Sequence, residues 1–451
     1  MAEPNIALAN LITEAGISWA GLAKRVNRLG ADEGEALRYD YTAVGRWVKH
    51  GQKPRGITPK LICRVLSERI GRPVRPADID MEDVESLAAR GLQYSRDTET
   101  TLDTIRDLGA AYTAGRFNAP FILAALAAPS RDWLLETLDE TLSERGPRAI
   151  GMNQVAGIRE MFSLFQEMDV MRGGGHARTA LISYMNTTVI PLIRKEHEPD
   201  VQAALYDAAA EQAYLIGWMA YDDGEHGLAQ RYLIQALRLS QAAGNHVLGA
   251  HVLAGMSDQA NLLGHTYEAV ALARAGLHGI TPNESAACYA DLSILEARAL
   301  ARLGDAKATM RALQRAERTF ETIDHDNEPE WARFIDPAYF FGEAAVCFRD
   351  LNQPTEIERC ADLSIQACLE QRRARRGGLS QAAVAMSFVQ RNEIEAAAER
   401  AKIVVHLTSS VNSSRCLEAV TDLQKTLKPF DTVPAVQEFN TEALQLLGLA
   451  A

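Results

Sequence analysis

Histidines and a glycine-rich turn are the first places to look for chemistry in this sequence. The ten histidines contain no His-Glu-x-x-His pair or comparable set of metal ligands. Residues 173–176, Gly-Gly-Gly-His, could cradle a phosphate, but no strand pattern precedes them and no Gly-Lys-Ser/Thr sequence follows. A flexible turn with His176 capping the next helix is the favoured interpretation. Nucleophile-elbow and dinucleotide-binding motifs are also missing, so we expect no enzyme, no metal and no cofactor.

A basic segment near the N-terminus indicates a different chemistry, the binding of phosphate groups. Residues 42–76 hold nine basic residues and one acidic residue, a net charge of +8. Because the whole chain carries −12, the remainder carries −20. Arginine can hydrogen-bond guanine edges in the major groove of DNA, and lysine can neutralise phosphates. The asymmetry indicates nucleic-acid binding by the basic part; the alternative is an ordinary solvated helical face.

Four short amphipathic helices are predicted to position these cations. Ser18 and Asp40 are suited to cap the second and third helices, and Pro59 suits the first turn of the fourth. Glycines stand where the first, second and fourth helices should end. The predicted spans are residues 5–15, 19–29, 41–50 and 60–70.

The third helix carries the side chains best suited to a major groove. Its apolar stripe would be formed by Val44, Trp47 and Val48. The opposite face is predicted to expose small and basic residues, namely Thr42, Ala43, Arg46 and Lys49.

This pattern resembles the lambda-repressor-like (XRE-type) helix-turn-helix family. The matching residues are Leu11, residues 15–18 (Ala-Gly-Ile-Ser), Leu22-Ala23, residues 43–47 (Ala-Val-Gly-Arg-Trp) and residues 51–54 (Gly-Gln-Lys-Pro). The resemblance implies two sets of contacts with a double-stranded operator. Base edges would be contacted by Tyr41, Thr42, Ala43 and Arg46, and phosphates by Lys49, Lys53 and Arg55. Residues 30–40 depart from the family, which joins its second and third helices by a turn of about four residues.

Helix-turn-helix pairs recur through the second half of the chain. Their turns stand at intervals of 40, 40, 48 and 40 residues, at Asp223-Gly224, Leu263-Gly264, Leu303-Gly304, Leu351-Asn352 and Arg391-Asn392. A period of this length predicts a helical solenoid; the alternative is a generic helical domain. Gly217, Ala229 and Ala236 have the small-residue spacing of a tetratricopeptide repeat, which the repeats resemble in a lengthened form.

The tetratricopeptide resemblance implies a concave ligand-binding surface. The positions that line such a groove combine aromatic rings with a few polar groups, which suits a peptide or a small molecule. They fall on Tyr214, Trp218, Tyr221, His251, Asp258, Asn261, Asp291 and Arg298. The alternative is that aromatic residues such as Trp218 and Tyr221 only pack between helices.

Composition is typical of a soluble globular chain. Hydrophobic residues make up 47% of it, and no apolar run approaches the roughly 18 residues of a membrane span. The N-terminus has no export signal pattern, so we expect a cytoplasmic protein without membrane partners. The six cysteines contain no Cys-x-x-Cys pair and are expected to be buried thiols.

We therefore predict an all-α chain in three parts. Residues 1–80 form a helix-turn-helix DNA-binding domain, residues 81–200 a helical linker or early solenoid region, and residues 201–451 a right-handed solenoid of tetratricopeptide-like repeats. This domain order and the sequences of segments 169–178, 217–222 and 249–257 resemble those of a group of actinobacterial regulators. The architecture also resembles that of quorum-sensing regulators. The resemblance implies a homodimeric transcriptional regulator that senses a peptide or small-molecule effector. The alternative is a protein-interaction scaffold whose basic head does not bind DNA.

Overall fold

A computed structural model describes residues 4–33, 35, 37–54, 57–81, 84–136, 152–172, 177–411 and 413–448. Within these ranges the chain is helical and contains no β-strand, as the sequence predicts. It divides into two compact units. The first comprises Met1–Arg90 with Ala110–Phe117, and the second comprises Gly91–Gly109 with Asn118–Ala451.

The first unit contains five α-helices in its described part. They are α1 (Ile6–Glu14), α2 (Trp19–Asp32), α3 (Tyr41–His50), α4 (Thr58–Ile70) and α5 (Val84–Arg90). The predicted caps are confirmed, since the Ser18 Oγ accepts from the Gly21 N–H at 3.1 Å and the Asp40 Oδ1 accepts from the Ala43 N–H at 2.9 Å. Helix α2 extends past Gly30 to Asp32, beyond its predicted end.

A single apolar core joins helices α1 to α4 of the first unit. Its fully buried members include Leu8, Leu22, Val44, Ile62 and Ile79. The axes of α1 and α2 meet at 90°. Isolated helices of this length are only marginally stable in water. Because these four helices share one core, packing stabilises each of them in addition to its own backbone hydrogen bonds.

Five helices precede the repeats. They are α6 (Thr98–Thr113), α7 (Ala127–Glu136), α8 (Met152–Arg172), α9 (Arg178–Tyr184) and α10 (Ile190–Ile193). A π-helical turn, Met185–Val189, joins α9 to α10. Helix α8 packs against helices of the repeat region described next, which makes it part of the same unit.

Six helix pairs form the repeat region in the described part of the chain. They are α11 (Pro199–Asp222) with α12 (His226–Ala242), α13 (His246–Leu262) with α14 (Thr266–Gly279), α15 (Ala286–Arg302) with α16 (Ala306–Phe320), α17 (Pro337–Asp350) with α18 (Pro354–Gln371), α19 (Ala374–Gln390) with α20 (Ile394–Thr408), and α21 (Ser414–Leu427) with α22 (Pro434–Gly448). The first helix of each pair packs on the first helix of the next, a solenoid-like arrangement.

All five predicted turns are confirmed as the connections inside these pairs. Each places a glycine or asparagine in the left-handed region, where these residues are best tolerated. The φ angles are +79° at Gly224, +86° at Gly264, +77° at Gly304, +57° at Asn352 and +61° at Asn392. The repeated turn chemistry explains why the period was visible in the sequence.

Small residues bring paired helices close together, as their spacing predicts. A Cβ atom added to Gly217 on α11 would stand 3.1 Å from the Leu233 side chain on α12. Ala229 and Ala236 on the same α12 are fully buried. The first pair is therefore packed more tightly than larger residues at these positions would allow.

Two further findings concern the whole described chain. In the ranges given above, no single helix is long and apolar enough to cross a bilayer, and only the bent pair α1–α2 meets that criterion together. All six cysteines are free and buried, as predicted.

Candidate functional site

Helix α3 presents a polar face on the first unit. Tyr41 is 62% exposed, and Thr42, Arg46 and Lys49 are also exposed, with Lys53 beyond the helix end. A hydrogen bond from the Thr42 hydroxyl and one from the Ala43 N–H lower the pKa of Asp40, which caps the helix. The face is therefore carried by a capped helix whose other side is buried in the core.

Ala43 does not lie on this face. It is only 4% exposed and belongs to the core, so the prediction that it points away from the apolar stripe was wrong. Ala43 and Trp47 are four residues apart, and side chains at this spacing share one side of a helix. Arg55, the other predicted phosphate contact outside the helix, lies outside the described residues.

The basic residues of the first unit fall into two groups. Arg64 and Arg72 pair with Glu33 and Glu14 at 3.2 and 2.9 Å. Arg46 and Lys53 have no ion-pair partner among the residues that the structure describes, and the Lys49 ammonium lies 5.5 Å from the centre of the Trp19 ring. Exposed cations without an ion pair among the described residues also lie on α2 and α4, namely Lys24, Arg28, Lys60 and Arg69, so α3 and its exit carry part of the unpaired positive charge.

Close packing fixes α3 against α2. A Cβ atom added to Gly45 would stand 3.1 Å from the Trp19 ring, closer than most Cβ contacts, so a larger residue would require the ring to shift by a few tenths of an ångström. The connection between the two helices is held by Asn27, whose amide donates to the Tyr39 carbonyl at 2.8 Å and accepts from the Tyr39 N–H at 2.9 Å. Tyr39 in turn packs edge-on against Trp47 at 4.9 Å.

Replacing Asn27 by alanine is expected to destabilise the first unit by about 1–3 kcal/mol, because it removes two hydrogen bonds to one backbone residue. Denaturant unfolding followed by tryptophan fluorescence measures the change. The exposed Asn10→Ala on α1 is the control and should change the free energy of unfolding by less than about 0.5 kcal/mol. Equal effects of the two substitutions would show that the Asn27 bridge does not hold the connection.

The predicted groove residues converge in the second unit as a packed cluster. His251 is fully buried between Tyr214 at 4.3 Å and Trp331 at 4.7 Å, measured between ring centres. Burial lowers the pKa of His251 to about 3, so its ring is neutral. Trp331 comes from the longer connection between α16 and α17, which accounts for the 48-residue interval. Trp218 remains half-buried and contacts Tyr221 at 5.2 Å.

Buried ion pairs connect the first helices of successive repeats. The Tyr221 hydroxyl donates to Asp258 at 3.0 Å, and Arg298 bridges Asp258 and Glu343 at 2.6 and 2.8 Å. Burial opposes ionisation of Glu343, but Arg298 and Arg376 lower its pKa to about 2. Asp258 and Arg298 were predicted as ligand contacts, and both are engaged with protein groups here.

Asp291 and Asn261 complete the predicted set. The Tyr339 hydroxyl donates to Asp291 at 2.7 Å, and burial raises the pKa of Asp291 to about 7. Asn261 is buried on α13, and its side-chain oxygen has no hydrogen-bond partner among the described residues. All eight predicted positions are thus brought to α11, α13 and α15, where only Trp218 and Arg298 retain appreciable exposure.

The network also joins the first repeat to the last ones. Asp222 ends α11 and is 0% exposed. It accepts from Arg375 at 2.7 Å and from Arg415 at 2.9 Å, residues 153 and 193 positions further along the chain. Burial alone would raise the pKa of Asp222, yet these two guanidinium groups lower it to about 2. The solenoid therefore closes on itself through charge pairs.

A cavity of about 60 Å³ lies beside this network, inside the second unit. Four guanidinium groups line it, those of Arg373, Arg375, Arg376 and Arg415. Its other walls are Asp169 on α8 and aromatic rings, including Tyr214, Trp218, Phe334 and Tyr339. None of these arginines was predicted from the sequence as a site residue. The run of four arginines within residues 372–376 was the available signal, but a run of charges does not by itself indicate burial.

Metal binding and phosphate binding receive no structural support in the described part of the chain. No group of three or more His, Cys, Asp or Glu side chains there is arranged to hold a metal ion. The glycine-rich segment 173–176 lies outside the described residues.

The architecture is that of an all-helical protein with a small helical unit and a solenoid-like repeat unit. Residues 8–82 are similar to the SP15 N-terminal domain, whose family model they match. That match falls on the first unit and covers less than a fifth of the 451 residues. No curated protein matches the chain.

Proposed function

We propose that this protein is a cytoplasmic DNA-binding transcriptional regulator. Its first unit is a helix-turn-helix domain that inserts α3 into the major groove of double-stranded DNA. Its second unit is a right-handed solenoid of tetratricopeptide-like repeats that senses an effector. The exposed face of α3, with Arg46 and Lys53 free of ion pairs in the described part of the chain, is the observation that carries this proposal.

The exposed side chains of α3 suit the major groove of double-stranded DNA. Arg46 has the planar donor array that reads guanine, and Tyr41 and Thr42 at the N-terminal end of α3 are polar and reach outward. Lys49 and Lys53 supply phosphate contacts. The chain outside residues 42–76 carries a net charge of −20 and repels DNA, so the segment that contains most of α3 offers the favourable contact.

Dimerisation is part of the proposal, because a helix-turn-helix protein normally reads two half-sites. The two recognition helices then lie about 34–36 Å apart, one turn of the DNA helix. A ligand that changes the geometry of the solenoid would change this separation and so the affinity for the operator. The resemblance to quorum-sensing regulators supports a peptide or small molecule in this role.

Selection of binding sites from random double-stranded DNA by the purified full-length protein tests the proposal. We expect enrichment of one motif made of two related half-sites, with centres about 10–10.5 base pairs or a multiple apart. Binding should weaken steeply with salt, because phosphate contacts release counterions. If no motif is enriched over random sequence, the protein is not a sequence-specific regulator, and the scaffold alternative is favoured.

A further inference from the structure

Two guanidinium groups at the 60 Å³ cavity have N–H donors without a partner among the described residues. Within these residues Arg376 donates to Glu343 through Nη1 alone, at 2.6 Å, and Arg373 donates to Asp336 through Nη1 alone, at 2.8 and 2.9 Å. A guanidinium group has five N–H donors in a planar fork. Each of these side chains therefore keeps donors available for a ligand, even though each is anchored by one carboxylate.

A buried carboxylate oxygen of Asp169 without a partner among the described residues is the second observation that points to a ligand. It lines the cavity, is 2% exposed and pairs with Arg375 through Oδ2 at 3.2 Å. Its Oδ1 has no hydrogen-bond partner among the described residues. Buried polar atoms are nearly always satisfied, so an unpartnered carboxylate oxygen at a cavity wall indicates a missing partner.

The charge around the cavity favours an anion. Four arginines line the cavity, namely Arg373, Arg375, Arg376 and Arg415, and Asp169 is the one carboxylate in its described lining. The carboxylates that anchor these arginines, Asp222, Asp336 and Glu343, lie behind them and outside the lining.

The size of the cavity limits what enters it. A volume of about 60 Å³ exceeds the roughly 10–15 Å³ that one water needs but is below the roughly 150 Å³ that holds a benzene ring, so it admits a head group and leaves the rest of a ligand at its mouth. A planar carboxylate fits a guanidinium fork through two parallel hydrogen bonds. Trp218 and Tyr339 on the cavity wall provide apolar surface for the part of the ligand that carries the acid.

We propose that this cavity binds the carboxylate head group of a small aromatic organic acid. Arg373 and Arg376 hold the carboxylate, Trp218 and Tyr339 contact the ring, and Asp169 accepts a hydrogen bond from a donor on the ligand where one is present. This assigns a chemical class to the effector and, in that role only, rests on the proposed regulatory function.

Benzoate is the probe, and benzamide is its neutral analogue of nearly the same shape. Binding to the full-length protein without DNA is followed by calorimetry and by the fluorescence of Trp218, with Trp218→Phe as the control for the signal. We expect saturable binding of benzoate and an affinity at least about tenfold lower for benzamide, because the charge-assisted hydrogen bonds are lost.

Three variants identify the site. Arg376→Gln should weaken benzoate binding about tenfold or more, whereas Arg359→Gln, an exposed arginine on α18, should leave it unchanged. Asp169→Asn removes a carboxylate near the bound anion, so benzoate should bind equally well or more tightly. A disrupted fold cannot produce this opposite response, and thermal unfolding of each variant checks the fold directly.

Several outcomes would overturn the assignment. They are the absence of saturable benzoate binding, equal affinities for benzoate and benzamide, equal effects of Arg376→Gln and Arg359→Gln, or a loss in Asp169→Asn as large as in Arg376→Gln. DNA affinity measured with and without benzoate separates this proposal from the regulatory one. Binding without any effect on DNA affinity supports the cavity and removes its role as the effector site.

Discussion

Replacing Asp222 by asparagine is expected to lower the free energy of unfolding of the second unit by about 3–5 kcal/mol. The carboxylate is 0% exposed and accepts from Arg375, Arg415 and the Ser413 hydroxyl. Asparagine keeps the shape but leaves two buried guanidinium groups with one acceptor fewer and without their nearest counter-charge, since Asp169 lies 3.2 Å from Arg375 and Asp258 lies 3.6 Å from Arg415. Removing one partner of a buried ion pair destabilises a protein strongly, because the other charge is left buried without compensation. The loss is large even where replacement of the whole pair by apolar residues would leave the stability unchanged.

Denaturant unfolding of the wild type and of Asp222→Asn measures this difference. The exposed Asp422→Asn on α21 is the matched control, since its pairing with Lys425 is at the surface and should contribute no more than about 1 kcal/mol. If Asp222→Asn were no more destabilising than Asp422→Asn, the contact between the first and last repeats would not hold the solenoid closed.

The stability contributed by Asp222 should also depend on pH in a defined direction. Its pKa is lowered from 3.8 to about 2 in the folded protein, because Arg375 and Arg415 outweigh the effect of burial. A lowered pKa gives stability that is fully present above the unfolded value and is lost as pH falls through the folded value. The difference between wild type and Asp222→Asn should therefore be constant near neutral pH and shrink between about pH 4 and pH 2.

Loss of operator binding on changing α3 is the second large expected effect. Arg46→Ala should weaken binding to a selected site by about 1–3 kcal/mol and relax the preference for the contacted base. Lys49→Ala and Lys53→Ala should each weaken binding to all sequences and reduce the salt slope by about one, because each removes a proposed phosphate contact. The three changes together should reduce binding to the non-specific level.

Arg72→Ala is the control for these substitutions. It removes the same charge from the same unit, but Arg72 is paired with Glu14 at 2.9 Å and lies outside α3. Fluorescence anisotropy of a labelled operator across a range of salt concentrations measures all five variants. Equal losses from Arg72→Ala and Arg46→Ala would show that the affinity comes from overall charge and not from the face of α3.

Local patterns predicted the elements of this fold well. The bounds of α3, its Asp40 cap and all five repeat turns follow from residue types within a few positions of one another. Ala43 was misplaced because a small residue gives no hydrophobic signal, although its spacing from Trp47 already puts it on the buried side. Cap and turn chemistry acts over short range, so the sequence displays it directly.

The interior of the solenoid was predicted only in part. Repeat offsets brought together the aromatic and charged positions on α11, α13 and α15. They did not reveal that Tyr221 and Asp258 bond to each other, or that Asp222 meets Arg375 and Arg415 from more than 150 residues away. Such contacts depend on how far the superhelix turns, which is set by the packing of every repeat, so no local pattern records them.

Mapping the chromosomal sites bound by the wild-type chain and by Arg46→Ala tests the central claim most directly. The proposal predicts discrete wild-type sites that share one motif of two half-sites, their loss in Arg46→Ala, and their retention in Arg72→Ala. The absence of sites above background, or sites that Arg46→Ala leaves unchanged, would contradict it.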